Sequence, residues 1–131
     1  MKKIIKTNQG PAPVAPYNQA VEANGVVYVS GQIALDPATG ELDKKAMKSI
    51  KKETKRVMKN LKAVLKAANS GFEQVLKCTI FMADMGDYAA INEVYGQYFD
   101  SATAPAREAV AVKTLPKSVN VEISCIALVK K

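Results

Sequence analysis

Residues 17–35 read YNQAVEANGVVYVSGQIAL, and the turn and second run within this stretch decide the fold. Asn24-Gly25 sits between two extended runs. That pair is the preferred centre of a type I′ hairpin turn, because both central positions need positive φ. The run after it, VVYVSGQIAL at 26–35, is nearly all apolar. Strict alternation would mark a strand with one wet face, whereas a continuous run predicts a central strand buried on both faces. Gly31 inside the run leaves room for close approach by another group. DPATG at 36–40 supplies turn chemistry.

Working outward, the apolar residues Ile50, Val57, Leu61, Val64, Leu65 and Ala68 recur at helical spacing. They predict a helix over about 47–68, stopped by Asn69-Ser70-Gly71. VLKCTIFM (75–82) predicts a strand. Asp87 is the expected N-cap of a second helix over about 88–99, where Tyr88, Ile91, Tyr95 and Tyr98 share a face. REAVAV and VNVEISCIALV predict two last strands separated by TLPKS. The order is β-β-α-β-α-β-β, an α+β arrangement with a mixed sheet. Strand–helix–strand steps require crossovers and at least one parallel pair. Two helices cover one face of such a sheet. The apolar run at 26–35 then calls for a partner on the other face, so a homo-oligomer is expected.

Length and composition narrow the possibilities. A chain of 131 residues with 48% apolar content is expected to form one domain over 1–131. The start, MKKIIKTNQG, lacks the apolar core and cleavage site of a leader, and no run is long enough to span a bilayer. A cytoplasmic protein without membrane association is expected. There is no histidine, which removes Ser-His-Asp and Cys-His catalysis and imidazole-based zinc sites. Acid–base chemistry falls to carboxylates, tyrosines, lysines, backbone or water. Cys78 and Cys125 lie far apart in apolar runs without metal-ligand spacing and read as buried free thiols.

The basic residues are unevenly placed. Residues 44–66 hold ten basic residues and one acid, Glu53, while the remainder holds nine basic and eleven acidic. Of nineteen basic residues only Arg56 and Arg107 are arginine. Arg56 sits among lysines. Arg107 follows a proline-containing loop and opens an apolar strand, where its choice over lysine needs a reason. Glu122 lies on a strand whose odd positions Val119, Val121, Ile123 and Cys125 are apolar, so it faces the other way with Asn120 and Ser124. From the residues alone, both charges read as members of ordinary surface ion pairs.

The segments APYNQAV, VYVSGQIALDPATGE, NLKAVLKAANSGFEQVLKCTIFMADMGDYAAINEVYGQYF and PAREAVAVKTLPKSVNVEI, taken in order, resemble the Rid family of reactive intermediate deaminases, RidA branch. The resemblance covers nearly the whole chain. It implies a chorismate-mutase-like fold and a homotrimer with sites in clefts between neighbouring subunits. It also implies hydrolysis of enamine and imine intermediates, 2-aminoacrylate/2-iminopropanoate and 2-iminobutanoate, to 2-keto acids and ammonia, with no cofactor and no metal. Arg107 would then bind the planar carboxylate of a 2-imino acid through two parallel hydrogen bonds, which a lysine cannot do. Glu122 would orient or deprotonate the attacking water. Tyr17, Ser30, Gly31, Asn92, Tyr95 and the backbone of Ala109 would shape the substrate pocket.

Some positions depart from the family pattern. Ala109 stands where many relatives have cysteine, Glu108 where a small residue is usual, Asn18 for serine and Ala15 for glycine, and DKKAMK (43–48) replaces a short glycine-containing link. Strand alternation turns Glu108 away from Arg107, though an adjacent carboxylate could compete for the guanidinium. Two other readings stand beside the enzyme. The lysine-rich helix could meet phosphate backbones in an RNA-binding or ribonuclease role. However, few aromatics are interleaved with the lysines, no RNA-binding motif is present, and a solvated face is the plainer account. The chain could also be a non-catalytic trimer that binds 2-keto acids or a protein partner.

Overall fold

The computed structural model describes residues 1–131. Six strands form one sheet: β1 (Lys3–Ile5), β2 (Ala20–Ala23), β3 (Val26–Gln32), β4 (Val75–Met82), β5 (Ala106–Ala111) and β6 (Val121–Leu128). Their spatial order is β1-β2-β3-β6-β4-β5. β4 and β5 are parallel and every other pair is antiparallel. The parallel pair follows from the crossover through α2 (Tyr88–Tyr95). The Asn24-Gly25 turn has positive φ at both residues, 52° and 78°, as a type I′ hairpin requires. The expected order gains one element: β1 is only three residues long with one buried side chain, Ile5, too short for periodicity to reveal.

α1 (Ile50–Ala67) starts where Ser49 accepts a hydrogen bond from the Lys52 amide at 3.1 Å. It ends where Asn69 adopts φ 56°. Its apolar stripe buries Val57, Met58, Leu61, Val64 and Leu65 completely against the sheet. Burial of each such side chain contributes about 1.5–3 kcal/mol. Two polar residues bolt the same helix down. Asn60 donates to the Ile33 and Leu35 carbonyls at 3.0 and 2.9 Å. Glu53, fully buried, accepts from the Asn120 amide at 2.8 Å, the Asn120 side chain at 2.7 Å and the Val121 amide at 3.3 Å. Glu53 falls on the apolar stripe, and its carboxylate exchanges solvation for three N–H donors at the entry to β6.

The start of α2 differs from expectation. Asp87 makes no side-chain cap; Asp84 caps the preceding 3-10 turn by accepting from the Gly86 amide at 2.8 Å. α2 is also shorter than the predicted 88–99, passing into a 3-10 turn at Gly96–Tyr98.

Both helices pack on one face of the sheet. Val27 and Val29 of β3 are buried there, whereas Tyr28 on the opposite face is 47% exposed. The expected burial of β3 on both faces is therefore not met within one chain. Strand register places Ile4, Val21, Tyr28, Ile126, Leu128 and Val110 together on this second face. Of these, Ile4, Tyr28, Val110 and Leu128 are exposed large hydrophobics. Cys78 and Cys125 are directly opposed across β4 and β6, free and buried, and burial pushes both thiols up.

Candidate functional site

Arg107 lies on the edge strand β5, in register with Cys78 of β4. Cys78 points under the helices, so Arg107 does too, and it meets α2. Its Nη1 donates to Asn92 Oδ1 at 2.6 Å and its Nη2 to the Tyr88 hydroxyl at 2.8 Å. The guanidinium carbon stands 5.0 Å from the centre of the Tyr95 ring and 5.6 Å from that of Tyr88. Two acceptors and two π faces fix the plane of the fork, and a lysine ammonium would not take this geometry. Asn92 hydrogen bonding and the charge of Arg107 hold the Tyr88 phenol below its usual value. Tyr95 is buried, its hydroxyl has no hydrogen-bond partner, and burial drives its phenol up.

Asn92 and Tyr95 are thus brought to Arg107. Ala109 lies two residues on, on the same side and half-buried. Glu108 faces away, and Lys77 Nζ engages its carboxylate at 2.9 Å, so it does not compete for the guanidinium. Tyr88 is the member of this cluster that the sequence reading left out. Its position four residues before Asn92 was the available signal.

Glu122 belongs to a different place. Its neighbours Val121 and Ile123 are fully buried beneath the helices, so Glu122 points to the second face. There the β3–β6 register shifts between Val29 and Gln32, a bulge that carries Ser30 and Gly31. A Cβ on Gly31 would lie 2.7 Å from Glu122 Cδ. The absent side chain of Gly31 is what lets the carboxylate lie flat on β3. Glu122, Gly31 and Tyr17 line one cavity of about 100 Å³ together with Pro116 and Lys117, enough for a few waters or a small acid. Lys117 of its lining and the following Ser118 both hold left-handed backbone, φ 55° and 56°, a strained turn at the cavity's edge. Burial raises the Glu122 pKa. The Ser30 hydroxyl turns away to donate to the Asn18 carbonyl at 2.6 Å. It secures the hairpin behind Tyr17 and does not line this cavity.

The expected site residues therefore fall into two groups on opposite faces of one sheet. Arg107 shares a row with Cys125 through Cys78, two strands across and three residues along from Glu122. Strand dimensions put the two Cα atoms about 14 Å apart, with side chains diverging. No three- or four-carbon acid can touch both within one chain.

Comparison with known proteins agrees with this architecture. The sequence profile of the family described as Endoribonuclease L-PSP matches residues 7–129. A RutC family protein of Synechocystis is 54% identical over 126 residues, covering 96% of this chain and 95% of that protein. A 2-iminobutanoate/2-iminopropanoate deaminase of Capra hircus is 42% identical over 128 residues, covering 98% and 90%. The solved structure of a Rid family protein from Yersinia pestis superposes with a TM-score of 0.92 at 40% identity, covering 98% of this chain and all of the other. The six-stranded sheet with two helices is the chorismate-mutase-like fold of these relatives, and the chain belongs to the L-PSP family, which includes the RutC and Rid proteins.

Proposed function

We propose that the protein is a hydrolytic deaminase of 2-imino acids and their enamine tautomers, 2-iminopropanoate and 2-iminobutanoate, and that it works as a homotrimer. The observation that carries this reading is the pre-set Arg107 fork, held by Asn92 and Tyr88 over the Tyr95 ring. A planar carboxylate is its natural ligand. The Capra hircus relative, named for this deaminase activity, supports the substrate class.

Each chain offers half a site on either face, and the exposed apolar side chains of the second face are suited to a second copy. The cleft is completed where Arg107 of one subunit meets the Glu122 cavity of its neighbour. A ring of three such contacts closes without leaving a free half-site; the number three follows the family resemblance.

In the cleft the substrate carboxylate lies on Arg107, which places the C=N carbon toward Glu122 of the neighbour. With the imine nitrogen protonated, the Glu122 carboxylate takes a proton from water as the water oxygen bonds to the carbon and the C=N π pair moves to nitrogen, giving a neutral tetrahedral amino alcohol. Its burial-raised pKa suits it to hold this proton and then return it to the nitrogen. Glu122, again a carboxylate, takes the hydroxyl proton as the C=O forms and the C–N bond breaks; ammonia leaves, the 2-keto acid remains, and the proton that the iminium brought passes to solvent. One water is consumed for each ammonia released. Tyr17 stands at the same cavity and would close the pocket around the substrate.

The test is keto-acid release from threonine or serine by a pyridoxal-phosphate dehydratase, with semicarbazide competing for the imine. The protein should raise the rate of keto-acid appearance and lower semicarbazone yield. Unchanged partition between the two would refute the deaminase reading.

A further inference from the structure

The lysines of α1 are arranged in a way the deaminase reading does not use. At 100° per residue, Lys51, Lys52, Lys55, Lys59, Lys62 and Lys66 fall within a sector about 100° wide, running about 23 Å along the helix. All six are exposed. Only Lys51 has an acidic partner, Glu93 of α2. Arg56 is spent on Asn60 Oδ1 at 3.0 Å. The one acid of the helix, Glu53, is buried on the opposite side. Lys51–Lys55, Lys55–Lys59 and Lys62–Lys66 are like charges at i,i+4, and Lys52–Lys55 and Lys59–Lys62 are like charges at i,i+3. Both spacings destabilise a helix, and a purely solvated face normally relieves them with interleaved glutamates. Here only Lys51 is relieved, by Glu93, and the other five have no acidic partner. Beside the stripe runs an open groove of about 490 Å³ lined by Lys59, Lys62, Lys66, Thr7 and Gln9.

We infer that this stripe is a binding surface for a linear polyanion of phosphates without bases, that is, an inorganic polyphosphate chain laid along α1. The length and uniform sign call for a repeating anion and not a single ion. Lysine presents point charges without the fork by which arginine orients on one phosphate or a base edge. No aromatic side chain is among the stripe and groove residues, so bases have nothing to stack on. There is also no large apolar side chain among them to enter a lipid surface.

The experiment is titration of the full-length protein with long-chain inorganic polyphosphate at two salt concentrations, with single-stranded RNA of matched total charge and orthophosphate in parallel. With five free lysines engaged, affinity should fall about a hundredfold between 50 and 200 mM salt. The double variant K55E/K62E should lose at least about tenfold in affinity. Its thermal midpoint should hold or rise, since each new carboxylate meets a lysine four residues on. The control K2E/K113E, with the same change in net charge at exposed lysines outside α1, should lose less than about threefold. No binding at low salt, equal loss in the control, or a fall in the thermal midpoint of K55E/K62E that accounts for its loss would overturn the inference. Tighter binding of RNA would reassign the stripe to nucleic acid, and competition by orthophosphate would reduce it to a single-phosphate pocket.

Discussion

Arg107 and Glu122 sit on opposite faces of the same sheet, one gripped by α2 through Asn92 and Tyr88, the other lying across Gly31 of β3. Strand alternation makes this separation unavoidable, because Arg107 registers with the buried Cys78 while Glu122 alternates with the buried Val121 and Ile123. The two charges can serve one substrate only across a subunit boundary.

Replacing Arg107 with lysine keeps the charge and loses the fork. Asn92 Oδ1 and the Tyr88 hydroxyl then share one ammonium, and the carboxylate plane is no longer fixed. Deaminase kcat/KM should fall by about 10²-fold or more, with little change in thermal midpoint. Steady-state kinetics beside a melting curve distinguishes this from simple destabilisation.

Glu122 predicts opposite effects on activity and stability. Burial raises its pKa in the folded chain. As pH rises from the ordinary carboxylate value through the folded value, the native chain keeps a proton that the unfolded chain has released. Stability therefore falls across that window and stays lowered above it. Glu122→Gln removes the penalty. The variant should melt higher than wild type at neutral pH, and the gap should close below about pH 4. Its activity should drop by about 10²–10⁴-fold. Wild-type kcat/KM should rise with pH through an apparent pKa above that of an ordinary glutamate. A variant that melts lower at neutral pH would contradict this account of the carboxylate.

Gly31 tests the contact directly. A methyl group there would meet the Glu122 carboxyl at 2.7 Å. The flexible end of Glu122 can swing aside, so Gly31→Ala should cost little stability. It should lower activity about tenfold or more by moving the carboxylate off its place. Loss of both together would mean that the backbone, not the carboxylate, yields.

Glu53 should behave as a structural residue. Glu53→Ala strands the Asn120 and Val121 donors and opens a void under α1, a cost of roughly 3 kcal/mol or more. Glu53→Gln keeps an acceptor and should recover part of it. Chemical denaturation at pH 7 measures both.

Most of the architecture was legible because its signals are local. The Asn24-Gly25 turn, the α1 stripe and the alternation around Glu122 each need only a few neighbouring residues. β1 escaped because a three-residue strand has no period. The Asp84 cap escaped because a 3-10 turn intervenes before α2. Glu53 was visible in principle, as an acid at a stripe position between Ile50 and Val57, but its three donors come from a segment 67 residues away. Arg107 stood out by composition, whereas its Tyr88 partner, signalled in sequence only by lying one turn before Asn92, is fixed by the packing of α2 on β5. That the two charges occupy opposite faces needed the β4–β5 register, which no single-strand pattern contains.

The shared-site claim is tested most directly by mixing two inactive variants, Arg107→Ala and Glu122→Ala, under conditions of subunit exchange. Each alone lacks one half of every cleft. In randomly mixed rings about a quarter of the junctions pair an intact arginine from one chain with an intact glutamate from its neighbour. The account predicts recovery of about that fraction of wild-type deaminase activity, rising as exchange proceeds. Mixed oligomers with no activity above that of the parents would contradict it.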